Sequence, residues 1–162
     1  MKKIALILSF YLTACNFGAG TLGGFDSITF PTFKKNIVAS IDSIYKMYPS
    51  YKIPDKWKYH DDWKRRGYDF LDSRIFYFKS EPEEMYYVTF LGDANDSVQT
   101  NQNNTSISIR AFLKYNLGDS FESWHTEDQC RSKEKKRIEK RFNEEIISKI
   151  EALTKTKAAH ED

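Results

Sequence analysis

The sequence predicts an α+β fold: an N-terminal helix, a small antiparallel sheet of three or more strands, and a long C-terminal helix packed on that sheet. Three patterns carry this reading. Ile37, Val38, Ile41, Ile44, Tyr45 and Tyr48 recur at steps of one, three and four, which places them on one helical face. Two runs rich in Ile, Phe, Tyr, Val and Thr, residues 73–79 and 85–91, flank an acidic turn that contains a proline. Near the C-terminus Cys130, Glu134, Ile138, Phe142, Ile146, Ile150 and Leu153 fall three or four apart.

The first helix is expected over about residues 33–47. Thr32 can cap its start, and Pro49 disfavours helical geometry at Tyr48. The two runs that follow read as strands of a hairpin, with Pro82 of Glu81-Pro82-Glu83-Glu84 where a type I turn accepts it. A third strand is expected over about 105–115. There Ile107, Ile109, Ala111 and Leu113 alternate with Ser106, Ser108, Arg110 and Phe112, giving one apolar and one mostly polar face, and Gly118-Asp119 ends the run. Thr126-Glu-Asp-Gln129 matches a capping box, so the last helix is expected over about 128–154. Its second half, Ile138 to Leu153, is the part expected to bury on the sheet, since Glu134 interrupts the stripe early.

The first fifteen residues carry a different message. Lys2 and Lys3 precede a short apolar run, Ile4 to Leu12, and Leu12-Thr13-Ala14-Cys15 closes it with small residues before a cysteine. Nine residues dominated by apolar side chains are too few to cross a hydrocarbon core of about 30 Å. The arrangement resembles the lipobox of bacterial lipoproteins. That resemblance implies cleavage before Cys15, diacylation of its sulfur and acylation of the new N-terminus, which together exceed the two-signal threshold for stable anchoring. Asn16 follows, not the Asp that retains lipoproteins on the inner membrane, and the acidic run of surface-exported lipoproteins is absent. The resemblance therefore implies the periplasmic face of the outer membrane of a Gram-negative bacterium. The resulting division is signal peptide 1–14, lipidated Cys15 and a flexible tether to 27, a single domain over 28–155, and a frayed tail 156–162.

Charge excludes some classes of partner. The precursor carries 25 basic and 23 acidic side chains, but Lys2 and Lys3 leave with the signal, so the mature chain balances at 23 of each. Nucleic-acid binders and polybasic membrane readers show an excess of one sign, so no nucleic-acid partner is expected. The distribution is uneven: residues 69–130 hold 11 acids against 4 bases, and residues 131–162 hold 10 bases against 7 acids. A basic helix beside an acidic sheet surface accounts for this. With Cys15 lipidated, Cys130 is the only thiol, which leaves a buried inert residue or an intermolecular cross-link, and no partner marks it as a nucleophile.

The stretch from Trp57 to Tyr68 is the most unusual of the mature chain, with two tryptophans, two tyrosines and five bases counting His60, and no clean period. Such residues dominate binding hot spots, so Trp57, Tyr59, Trp63, Arg65, Arg66 and Tyr68 are candidate partner contacts. The alternative is that the tryptophans plug the open end of a small core. Glu81, Glu83 and Glu84 in the hairpin turn form a second candidate surface. His60-Asp61-Asp62 and His125 with Glu127 and Asp128 contain metal-capable groups, but neither matches a ligand spacing. No metal, cofactor or catalytic residue is assigned. Asp26-Ser27-Ile28, Asp42-Ser43-Ile44 and Asp96-Ser97-Val98 resemble the O-glycosylation sequon of Bacteroidota, with Ser27 and Ser97 the accessible positions. The polar stretch 92–104 reads as disordered or functional. The function expected is a lipid-anchored accessory module that engages an envelope protein, as an immunity protein, inhibitor or machine subunit. The alternatives are a glycan-binding module stacking Trp57, Tyr59 and Trp63 on sugar rings, and a small hydrolase using His60, Asp61 or His125.

Overall fold

Strand formation follows the two aromatic and β-branched runs closely. The strands are β1 (Ser27–Phe30), β2 (Ser73–Phe78), β3 (Glu84–Phe90), β4 (Thr105–Asn116), β5 (Ser120–Phe121) and β6 (Ala159–Glu161). The computed structural model describes residues 24–92, 103–116, 120–121 and 123–161. Residues 1–23, which hold Cys15 and the expected signal, most of the polar 92–104 stretch and the Asp96-Ser97-Val98 triplet lie outside the described residues. Five strands form one antiparallel sheet in the order β2–β3–β4–β1–β6, and β5 pairs with the end of β4. The fold is α+β, as the sequence predicts.

The helices lie on one face of the sheet. The first, α1 (Lys34–Met47), starts one residue later than expected: Phe33 is the extended cap residue, and Thr32 accepts a hydrogen bond from the Asn36 amide at 2.8 Å. The C-terminal helix starts at Ser132, not near 128. Thr126 and Gln129 do form the predicted capping box, but it closes a single turn (Glu127–Gln129), because Cys130 and Arg131 are extended. From there α2 (Ser132–Phe142) runs through a wide π-turn (Asn143–Ile147) into α3 (Ser148–Thr154). Ile37, Ile41 and Ile44 of α1 and Ile138, Phe142, Ile146 and Ile150 of the C-terminal helix are buried on Phe30, Phe76, Phe78, Tyr86 and Val88 of the sheet.

The second face of the sheet departs from expectation. A bulge sets Val88 opposite Ile109 but Tyr87 opposite Ala111, leaving Arg110 as the extra residue of β4. Side chains change faces there. Ile107 and Ile109 point with Phe112 into the helix-side core, while Ala111 and Leu113 face the other way. Ser106, Ser108 and Arg110 keep the second side of the strand polar only as far as the bulge, and beyond it Ala111 and Leu113 make that side apolar. Residues 53–72 and Trp124 cover its second side, so the sheet is enclosed between helices and an aromatic layer.

Both domain boundaries move outward. Phe25 is buried, its N–H bonds the Ile109 carbonyl at 3.0 Å, and a Cβ at Gly24 would stand 2.9 Å from the Ser108 hydroxyl. The packed domain thus begins by residue 24, inside the expected tether, and Ser27 sits in a strand paired on both sides. At the other end Lys155 takes a left-handed conformation that turns the chain back, and residues 159–161 pair with β1 instead of fraying.

A buried carboxylate ties the two halves together. Glu84 is fully buried, accepts the Tyr86 hydroxyl at 2.7 Å, and receives Nη1 of both Arg137 and Arg141 at 3.0 Å. Arg141 also reaches the Ser80 carbonyl at 2.8 Å and lies over the Phe78 ring. Removing one side of such a pair leaves the other charge buried alone, which costs about 3–5 kcal/mol. Glu84→Ala should lose stability of that order in urea denaturation. The triple replacement Glu84→Leu/Arg137→Met/Arg141→Leu should recover most of it.

Candidate functional site

The 57–68 region divides by exposure. Its backbone makes a short helical run (Asp55–His60) and a wide turn (Lys64–Tyr68) that ends with Gly67 at φ 91°. Trp57 and Trp63 point inward. Trp57 packs on Tyr77, Met85 and Leu113, and Trp63 stacks on Tyr87 with ring centres 4.0 Å apart and planes 16° from parallel. Trp124 joins them, donating its indole N–H to the His60 carbonyl at 3.1 Å. The tryptophans are therefore the core plug of the second face, and they are corrected from contact residues to packing residues. Rings of this size serve either purpose, because each needs a large flat area to bury.

What the cover leaves outside is Tyr59, Arg65, Arg66 and part of Tyr68, together with Phe70, which the sequence reading did not single out. Tyr59 and Phe70 are 62% and 63% exposed. Tyr59 stands over the His60 ring at 4.1 Å. Arg65 and Arg66 both bridge Asp62, at 3.1 and 2.7 Å. Burial alone would raise the Asp62 carboxyl, but the hydrogen bonds from Arg66 and Arg65 hold it below the usual carboxylate range. Burial also lowers His60, with the Asp62 charge pulling the other way.

The other sequence candidates scatter. Glu81 is exposed, Glu83 accepts the Tyr77 hydroxyl, and Glu84 is the buried clamp, so the three do not make one acidic surface. His60 lies on the cover, whereas His125 packs on Phe112, whose ring belongs to the helix-side core. The histidines invoked for a hydrolase therefore sit on different faces of the sheet. Among the described residues no group of three His, Cys, Asp or Glu side chains is arranged to hold a metal. Cys130 is half-buried against the core, and burial pushes its thiol up, away from nucleophilic reactivity. With Trp57 and Trp63 buried, the three-ring platform for sugar stacking is not formed.

One cavity on the helix side was missed. It measures about 200 Å³ and has an apolar floor of Phe25, Ile28, Ile109 and Phe142. Its polar lining is Asp26, Glu139, Asn143 and His160. These residues come from the expected tether, the C-terminal helix and the expected frayed tail, which no local pattern connects. Glu139 Oε1 and Asn143 Oδ1 are buried without a hydrogen-bond partner among the described residues. Lys135 does not supply one: its Nζ sits 2.6 Å from Asp26 and 2.7 Å from Glu127, but 3.7 Å from Glu139. Burial raises the Glu139 carboxyl and the Asp26 charge raises it further, against Lys135 and the Asp26 backbone.

Two outcomes follow. Trp63→Ala should cost about 3–5 kcal/mol in chemical denaturation, as for a large ring removed from a core, while Tyr59→Ala should change stability by no more than about 0.5 kcal/mol. For Glu139 the folded protein holds its proton at higher pH than the unfolded chain does. Its contribution is therefore present below the ordinary value of 4.5 and is lost as pH rises through the raised folded value. Glu139→Gln should accordingly be at least as stable as the parent at pH 7, with the difference shrinking in denaturation curves taken toward pH 4.

Comparison with family models, with curated proteins and with solved structures finds no match to this chain, so the site is read from its own geometry.

Proposed function

We propose that this chain is a lipid-anchored binding module of the bacterial envelope, held through Cys15 at the periplasmic face of the outer membrane, where it engages an envelope protein. The observation that carries the reading is the pair of large exposed aromatics, Tyr59 and Phe70, on a layer whose tryptophans are locked into the core. An exposed ring on an ordered support loses little freedom when a partner covers it, so its buried area converts efficiently into affinity. Arg65 and Arg66 of the same segment are held by Asp62 and offer planar donors. An immunity protein, an inhibitor and a subunit of a larger machine all use such a surface. Glycan stacking has less support, since it loses two of its three rings to the core.

The test uses the full chain in its own membrane. A photo-crosslinking amino acid at position 59 should give one discrete adduct that Phe70→Ala and Arg65→Ala diminish severalfold, whereas the same probe at position 46 on α1 should give none. No adduct at 59, or the same adducts from both positions, overturns the surface assignment. Labelled palmitate should enter the parent chain but not Cys15→Ser, and the variant should leave the membrane fraction. Label retained by Cys15→Ser, or absent from the parent, overturns the anchor.

A further inference from the structure

The helix-side cavity combines three properties that packing alone does not explain. Its floor is apolar, with Ile28, Ile109 and Phe142 among its residues. Its unmet polar demand is entirely for donors, since Glu139 Oε1 and Asn143 Oδ1 are both acceptors and both buried. The elements around it are irregular. Asn143 opens the π-turn of the C-terminal helix, and Ile109 is the residue immediately before the β4 bulge. Such irregularities re-aim side chains at functional sites.

The chemistry of an occupant follows by exclusion. An anion would meet the carboxylates of Glu139 and Asp26. A metal ion would need a ligand group that the described residues do not provide. A purely apolar molecule would leave both acceptors desolvated and unpaired, at a cost of about 1–3 kcal/mol each. Lys135 is the nearby cation: its two short contacts go to Asp26 and Glu127, and it stands 3.7 Å from Glu139, beyond hydrogen-bond reach, so Glu139 Oε1 is left to accept from a second one. For size, an apolar cavity of about 150 Å³ holds a benzene molecule, and this one is about 200 Å³. We propose that the cavity binds a small organic ammonium ion, with its apolar body on Ile28, Ile109 and Phe142 and its charged nitrogen donating to Glu139 and Asn143.

This site is on the face opposite the aromatic cover and stands whether or not that cover binds a protein. Its test is a titration of the full, detergent-solubilised chain, labelled at isoleucine methyl groups, with benzylammonium as the probe. Saturable shifts should appear at Ile28 and Ile109, while Ile53 and Ile75 under the cover stay in place. Benzyl alcohol and benzoate should bind at least about tenfold more weakly, a difference of about 1.4 kcal/mol. Glu139→Gln, which keeps the side-chain shape, should weaken benzylammonium by a similar factor. Asn143→Leu should do so independently. Three results overturn the proposal: no saturable shift at Ile28 and Ile109, equal binding of benzyl alcohol, or undiminished binding in both variants with the isoleucine spectrum otherwise unchanged.

Discussion

Glu84 decides how the C-terminal helix sits on the sheet. Its carboxylate is fully buried on the helix side of β3, and Arg137 and Arg141, one helical turn apart, both donate to it. Such a pair adds little net stability over an apolar substitute, because desolvating the three charges offsets their attraction. Its value is positional. A slide of the helix by one turn would leave one arginine without its carboxylate and would strip the Ser80 carbonyl of its donor. With that register set, Ile138 and Phe142 drop into the core, and Glu139 and Asn143, the next residues along the helix, come to line the cavity. The acidic turn and the basic helix that stand apart in the sequence are the two halves of this clamp.

Local patterns made α1, β2 and β3 legible to within a residue or two. In α1 the apolar period coincides with the buried face, β2 and β3 are mostly apolar runs that pack on both sides of the sheet, and the ends are marked by Thr32, Pro49 and the turn around Pro82. That turn carries a cis Glu81–Pro82 peptide where the sequence suggested a type I form. The capping box at Thr126 was also read correctly as a local device, but its role depended on Cys130 and Arg131 being extended, which the motif does not encode. β4 lies where the sequence places it, at Thr105–Asn116, but its two faces do not. Its alternation is regular from Ser106 to Leu113, and only pairing with β3 reveals that Arg110 is extra and that the faces exchange there. The final strand was missed for a related reason. Residues 159–161 have little strand propensity of their own and are held by the edge that β1 offers.

The candidate surfaces were legible in part. Composition located the aromatic segment, and Tyr59, Arg65 and Arg66 are outside as a contact surface requires. It did not separate them from Trp57 and Trp63, because a core plug and a binding hot spot draw on the same residues and differ only in whether a face of the sheet is left open. An uncovered second face was assumed, and the β4 bulge removes that assumption by sending Ala111 and Leu113 toward the tryptophans. Asp26, Glu139, Asn143 and His160 carried no signal for a shared cavity. Each is an ordinary polar residue in its own neighbourhood, and only the closing of β1 between β4 and β6 brings them to one cavity.

The cover and the cavity therefore share one cause. Ile109 lies in the cavity floor and Ala111 lies under Trp63, two positions along a single strand. In a regular strand, residues two apart point to the same side. Both would then face the helices, leaving Trp63 without its seat, or both would face the cover, leaving the cavity without its floor. The extra residue, Arg110, lets each side chain reach its own layer, and its Nε bonds the Thr89 hydroxyl at 3.0 Å across the irregularity. A bulge of this kind interrupts the hydrogen-bond ladder, a cost that packing of one face alone would not require. Here it is offset twice, by burial of the aromatic layer on one side and by the apolar floor on the other.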